Sequence, residues 1–225
     1  MTGSTARLPG AAAAADDHEL ATRLRCGDEA AFASSVAAWS GGMRRLARCF
    51  VTTPESADEV VQEAWLGVIE GIDRFEGRST VKTWAYRILV NTARRRAERE
   101  GRSMPWSSMS SDDEGPTVEP ERFQGPGEPY PGHWRLFPPP WPSPEEHAQT
   151  GELRTVLAAA CAGLPDRQRA VLVLRDVDGY GADETCAILG VSASHQRVLL
   201  HRARAFVRAR LEEYYTSDMD GTGRT

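Results

Sequence analysis

Asp73–Arg102, DRFEGRSTVKTWAYRILVNTARRRAEREGR, is the segment from which the architecture follows. Val81, Trp84, Ala85, Ile88, Leu89 and Thr92 recur at i, i+3, i+4 and i+7, a spacing that gathers them on one side of a helix. Ser79 stands at the expected N-cap. The opposite side carries Lys82, Arg87, Asn91, Arg94 and Arg95, and the helix is preceded by the aromatic, glycine-containing loop Phe75-Glu76-Gly77-Arg78. Such a helix can pack on a scaffold with one face and meet phosphates and unstacked bases with the other. A solvated charged face with Trp84 in the core explains the same pattern, and this stretch alone does not choose between the two.

The 225 residues, 40% of them apolar, suffice for one or two ordinary cores. A formal net charge of −5 argues against a nucleic-acid partner only as an average. Residues 31–102 carry 12 basic and 9 acidic side chains, residues 153–215 carry 9 and 7, and residues 103–152 carry 2 and 9. Two mildly basic lobes are therefore expected, joined by an acidic connector. Cys26, Cys49, Cys161 and Cys186 are scattered without metal-ligand spacing, so they are expected to be reduced, mostly buried small hydrophobes, with no metal site. The run Ala11–Ala15 is too short for a signal peptide or a spanning helix, and a cytoplasmic location is expected.

Residues 1–16, rich in small side chains, read as a disordered lead-in. A first helix from Asp17 carries Leu20 and Leu24. A second, from about Asp28 to Phe50, carries Phe32, Val36, Trp39, Met43, Leu46 and Phe50, with Gly41-Gly42 weakening it midway. Pro54 opens a third helix in which Val61, Trp65, Val68 and Ile72 face inward. Asp58, Glu59, Gln62 and Glu63 form an acidic and amide patch near its start, either complementing the helix dipole or docking a basic partner. With the Asp73–Arg102 segment these helices make an all-α lobe over residues 17–102.

Residues 103–143 are dense in Pro, Gly, Ser and acidic groups and read as an extended linker, a polyproline-type segment carrying Phe123, Tyr130, Trp134, Phe137 and Trp141. A second helical lobe follows over residues 144–215, and residues 216–225 read as a disordered tail. Pro144 restarts a helix with Leu153, Val156, Leu157 and Ala160 inward; Pro165 opens another with Ala170, Val171, Leu174 and Val177 inward. After Gly179 and Gly181 a short helix runs to Leu189, turns at Gly190, and gives way at Ser192 to a long basic helix, the pattern of a helix-turn-helix. Ser194, His195, Gln196 and Arg197 occupy its amino-terminal end, where Arg reads guanine and Gln reads adenine. Arg197, His201, Arg204 and Arg208 form its outer stripe; Leu199, Leu200, Ala203, Phe206, Val207 and Leu211 form its inner one.

DEVVQEAWL, then DRFEGRSTVKTWAYRILVNTARR, then LPDRQRAVLVLRDVDGYGADETCAILGVS and HRAR resemble, in that order, regions 2 and 4 of the extracytoplasmic-function sigma factors of bacterial RNA polymerase. The resemblance covers about 32–102 and 153–213. It implies two small helical domains, a region 2 bundle and a region 4 helix-turn-helix, joined by the linker. It further implies that Asp58, Glu59, Gln62 and Glu63 dock core polymerase, whose beta-prime clamp and beta flap are the partners. Phe75, Ser79, Lys82, Arg87, Asn91 and Arg94 would capture the unpaired non-template strand of the −10 element, with Trp84 assigned to the core. Ser194, His195, Gln196, Arg197, His201 and Arg204 would read the −35 duplex. The acidic linker would thread through polymerase, and the resemblance leaves room for an anti-sigma partner. The chain departs from the family pattern in the recognition helix, where VSASHQRVLLHRAR stands for a sequence like VSEGTVKSRLHRAR and Gln196 takes a position usually apolar.

No G-x-S-x-G, H-E-x-x-H or glycine-rich phosphate loop is present, and the five histidines are dispersed, so neither catalysis nor a cofactor is expected. Two other classes fit the composition. A free-standing helix-turn-helix regulator would bind duplex DNA without polymerase; an interaction protein or small helical enzyme would tolerate neutralisation of Arg197 and Asn91.

Overall fold

The computed structural model describes residues 9–101 and 151–221, and among these every regular element is helical, as expected. In chain order they are α1 (Pro9–Arg25), α2 (Glu29–Ala47), α3 (Pro54–Gly71), a 3₁₀ turn (Ile72–Arg74), α4 (Val81–Arg99), α5 (Gly151–Ala162), α6 (Asp166–Leu172), a π-helical segment (Val173–Val177), α7 (Ala182–Leu189) and α8 (Ala193–Gly221). The aromatic linker and the start of the helix expected at Pro144 lie outside the described residues. Helix α1 begins eight residues before the expected Asp17, because Pro9 is well suited to a first turn and the alanines after it are the strongest helix formers. Helix α8 likewise runs past Tyr215 to Gly221.

The compact units do not follow chain order. Residues 1–106 cluster with 173–192, and residues 107–172 with 193–225. The first unit is a bundle of α1–α4 with α7 packed on α4. Asp28 caps α2, its carboxylate accepting from the Ala31 N–H at 3.0 Å; that bond first, then the one from Arg23, holds the carboxyl below its ordinary range. Thr53 caps α3 ahead of Pro54, accepting from the Ser56 N–H at 3.1 Å. Met43, Leu46, Val60, Val68, Val81 and Leu89 are completely enclosed. Val61, Trp65, Val68 and Ile72 are buried, as the α3 pattern requires. Trp65 stacks on Trp39 at 5.8 Å, meets Phe32 edge-on at 5.4 Å, and donates its indole N–H to the Ser40 hydroxyl.

The second unit packs α5 and α6 on α8, with Leu164, Ala170, Val171, Leu172, Leu199, Leu200, Ala203 and Leu211 buried. Val177, expected inward with Ala170, Val171 and Leu174, is instead exposed. The helix widens after Leu172 into i→i+5 hydrogen bonds, Asp178 N–H to Val173 C=O at 2.9 Å, and the added residue turns Val177 to solvent. Of the four cysteines only Cys49 is buried: Cys26 is exposed, and Cys161 and Cys186 are half-buried.

The wide turn delivers Asp178 and Tyr180 to the first unit. Tyr180 lies against Tyr86 of α4 at 5.3 Å, and both are buried. Helix α2 continues unbroken through Gly41-Gly42, and the two glycines have unequal surroundings. A Cβ at Gly41 meets nothing within 4 Å, whereas one at Gly42 falls 2.3 Å from the Tyr86 hydroxyl.

Gly41→Ala is therefore expected to stabilise the protein by up to about 1 kcal/mol through helix propensity. Gly42→Ala should lose about 1–3 kcal/mol to overpacking, since Tyr86 is held too firmly to yield; paired denaturant titrations check the opposite signs. Burial pushes the Tyr86 phenol up, and burial first, then the adjacent Tyr86, pushes Tyr180 up further. A folded-state value raised above the unfolded one, ~10, gives stability that is present below that pH and lost as pH rises through the folded values. The melting temperature of the native chain should drop above about pH 10, and Tyr180→Phe should flatten the drop in circular-dichroism melts.

Candidate nucleic-acid interface

The loop leading into α4 is held from both ends by α1. The Arg25 guanidinium donates to the Ile72 carbonyl at 3.3 Å and to the Phe75 carbonyl, and the Asp17 carboxylate accepts from the Val81 N–H at 2.9 Å. Thr80, not Ser79, is the N-cap: its hydroxyl accepts from the Thr83 N–H at 3.1 Å. Gly77 adopts φ 72°, a left-handed conformation that favours glycine, so the chain reverses there and presents Glu76, Gly77 and Arg78 outward.

Phe75, expected at the strand-binding surface, is buried in the cluster formed by Ala21, Leu24, Ala31, Ile72 and Val81, and its ring lies 5.1 Å from that of half-buried Trp84. A ring 7% exposed offers no face to an incoming base, so its function here is to anchor the loop. Ser79 is half-buried beside it. Arg87 and Asn91, one turn apart, are exposed, with Arg95 a further turn along.

Lys82 and Arg94 do not share that open face. With Tyr86 and Val90 they form a second stripe, at i, i+4, i+8 and i+12, and helix α7 packs on α4. The Lys82 ammonium stands 4.7 Å above the Tyr180 ring, and Arg94 Nη2 donates to the Leu189 carbonyl at 2.6 Å. Arg45 of α2 reaches the same segment, donating from Nε and Nη2 to Asp178 Oδ1 at 3.0 and 2.5 Å. The sequence reading missed Tyr86, Asp178 and Tyr180. The tyrosine one turn after Lys82 was the available signal.

The patch on α3 is laced to neighbouring helices. Arg44 donates to Asp58 at 2.5 Å, Arg96 pairs with Glu59 and stands 3.8 Å from Glu63, and Arg99 stands 3.9 Å from Glu63. Gln62, Glu59 and Glu63 remain exposed to a partner, as do Leu66 and Ile69 on later turns. Exposed pairs of this kind contribute at most about 1 kcal/mol each, so a docking surface can exchange them at small cost.

Helix α7 ends at Gly190, φ 67°, where the N–H groups of Gly190 and Val191 both donate to the Cys186 carbonyl, and α8 starts at Ala193. Along α8, Ser194, Arg197, His201 and Arg204 are exposed and His195 is half-buried. Gln196 is 2% exposed, which removes its amide from the expected reading surface and agrees with the apolar character usual at that position. Among the described residues no cluster of His, Cys, Asp and Glu could hold a metal ion, and no helix is long and apolar enough to cross a membrane.

Residues 36–103 match the Sigma-70 region 2 family and residues 154–207 match Sigma-70, region 4. The chain is 30% identical to the ECF RNA polymerase sigma-E factor of Escherichia coli over 188 residues, 84% of this chain and 90% of that protein. It is 26% identical to the RNA polymerase sigma-H factor of Pseudomonas aeruginosa over 87% of this chain and 94% of that one. Among solved structures it resembles CnrH in complex with the cytosolic domain of CnrY, with TM-score 0.56, 22% identity, and 88% and 97% of the two chains covered. It also resembles the sigma factor RpoE in complex with the anti-sigma factor NepR from Bartonella quintana, with TM-score 0.53, 19% identity, and 80% and 96% covered. With both regions present in order, and with that identity sustained over most of its length, the chain belongs to the extracytoplasmic-function sigma factors of the sigma-70 family.

Proposed function

We propose that this sigma factor binds core RNA polymerase through the exposed acidic and amide face of α3, captures the non-template strand of the −10 element with residues 76–79 and α4, and reads the −35 duplex with Ser194, Arg197, His201 and Arg204 of α8. The observation that carries the reading is the exposure of Arg87 and Asn91 beside the outward loop, together with a second row of exposed basic residues on α8. An amide can read the edge of an extruded base, guanidinium groups can stack on it and hold the backbone, and an exposed arginine at the start of a groove-entering helix can read guanine. With Phe75 buried, the stacking surface falls to the guanidinium planes of Arg78 and Arg87. The α3 face meets a basic partner surface, the clamp of the polymerase. An anti-sigma factor that occupies one of these faces belongs to the same proposal, as does the division of labour in which polymerase performs the synthesis and this chain selects the promoter.

Run-off transcription with core polymerase and genomic fragments should give discrete products only when the chain is added, and the chain alone should show no sequence-specific duplex binding. Specific binding without polymerase would instead make it a free-standing regulator. Arg87→Ala with Asn91→Ala should lower open-complex formation about tenfold or more while core affinity is kept, in line with roughly 1–3 kcal/mol per strand contact. Gln62→Lys with Glu63→Lys should do the reverse, weakening the association with core in a binding titration and sparing none of the downstream steps.

A further inference from the structure

Lys82 and Arg94 lie twelve residues apart on α4, about 18 Å along its axis, and one segment of this chain, Asp178–Leu189, engages both. Tyr180 takes the Lys82 ammonium onto its ring, and the Leu189 carbonyl accepts from Arg94. Between them the buried rings of Tyr86 and Tyr180 pack together. Outside the stripe, Arg45 clasps Asp178, whose side chain is only 5% exposed. The surface fits its occupant: α2 has no side chain at Gly42, where the Tyr86 hydroxyl and Asp178 approach, and Arg175 donates to the Tyr180 carbonyl at 2.5 Å, fixing the turn that carries the ring. The stripe at 87, 91 and 95 stays open. Helix α4 thus has one uncovered basic row and one row whose two cations are already engaged.

We infer that the Asp178–Leu189 segment is a latch that competes with nucleic acid for the Lys82, Tyr86 and Arg94 row of α4, so that the free chain touches a single strand only through Arg87, Asn91 and Arg95. This rests on the reading of α4 as the strand-capturing helix. A phosphate cannot reach the Lys82 ammonium while the Tyr180 ring lies against it, and the Arg94 guanidinium cannot turn outward while it donates to Leu189. Anything that draws the segment away exposes two further cations and the Tyr86 ring, converting a weak electrostatic contact into a grip with a stacking surface.

Two properties make this testable in the full-length chain. Arg45 is half-exposed and belongs to none of the proposed polymerase, −10 or −35 contacts, and Lys82 is the sole lysine among the 225 residues, so acylation of a side-chain amine reports on one position. Arg45→Glu sets two carboxylates face to face and opens the latch; Arg45→Glu with Asp178→Arg restores the pair. The probe is a fluorescein-labelled, random-sequence single-stranded DNA of about 20 nucleotides. Acylation of Lys82, followed by mass spectrometry, is expected to quicken several-fold in Arg45→Glu and to slow again in the double variant. DNA affinity should rise about fivefold or more in Arg45→Glu, although that substitution adds negative charge, and the slope of log affinity against log salt should steepen by about 1.4, two phosphate contacts at roughly 0.7 each. Unchanged Lys82 reactivity, or reactivity that rises while affinity stays level or falls, overturns the latch. If the double variant does not fold, Arg45→Glu alone still decides, because Arg45 lies at the surface. Failure of the α4 reading shows separately: adding Arg87→Ala and Asn91→Ala to Arg45→Glu would then leave DNA affinity intact while Lys82 acylation still responds to the latch.

Discussion

The Tyr86 hydroxyl occupies the space beside Gly42 where any other residue would place a Cβ, and the first unit is built around that near approach. It brings α2 and α4 close enough for the Tyr86 hydroxyl to donate to the Trp39 carbonyl, and it leaves the Tyr86 ring buried between its own bundle and Tyr180. Helix α4 is consequently enclosed on more than the one side that an amphipathic surface helix needs. Its exposed area shrinks to the row through Arg87, Asn91 and Arg95 and the loop in front of it. The surface that can meet a nucleic acid is set by what presses on α4 from behind and from the side.

The contact of Asp178–Leu189 with α4 is closely balanced. The half-exposed Arg45 ion pair contributes at most about 1 kcal/mol, the Lys82 cation over Tyr180 about 0.5–1, the tyrosine pair about 0.5–1.5 and the Arg94 hydrogen bond about 1.5–3. Against these stand Asp178 Oδ2 and the Tyr180 hydroxyl, buried and without a hydrogen-bond partner among the described residues, at about 1–3 kcal/mol each. Arg45 directs both of its bonds at Oδ1, which is why the second oxygen is left over. The two sides match to within a few kcal/mol. A segment held this way stays in place on average and yields to a competitor of modest affinity.

Much of this was legible in the sequence, and the exceptions have physical causes. The 3.6-residue period places Val61, Trp65, Val68 and Ile72 inward without knowledge of any partner, and the Gly190 turn declares itself because a left-handed residue after a short helix favours glycine. Phe75 is different: its burial depends on Ala21 and Leu24, some fifty residues earlier, and local pattern carries no information about them. Tyr86 sits among basic residues on what reads as the outer face, and only the arrival of α7 makes that face an interior. Ser79 and Thr80 are both able to cap, so the one-residue shift is invisible until the Thr83 N–H is located. Gln196 was foreshadowed by its position in the family pattern, since an apolar site remains an interior site when an amide fills it.

The π-helical segment at Val173–Val177 has a bearing on how this chain tolerates insertion and deletion. A wide turn holds one residue more than a regular one, and each residue of a regular helix advances the phase by about 100°. Excising one position there would let the helix close up into ordinary geometry, swinging everything downstream around the axis and carrying Asp178 and Tyr180 away from α2 and α4 with every side chain chemically intact. What aims that pair is the length of five residues more than their identity.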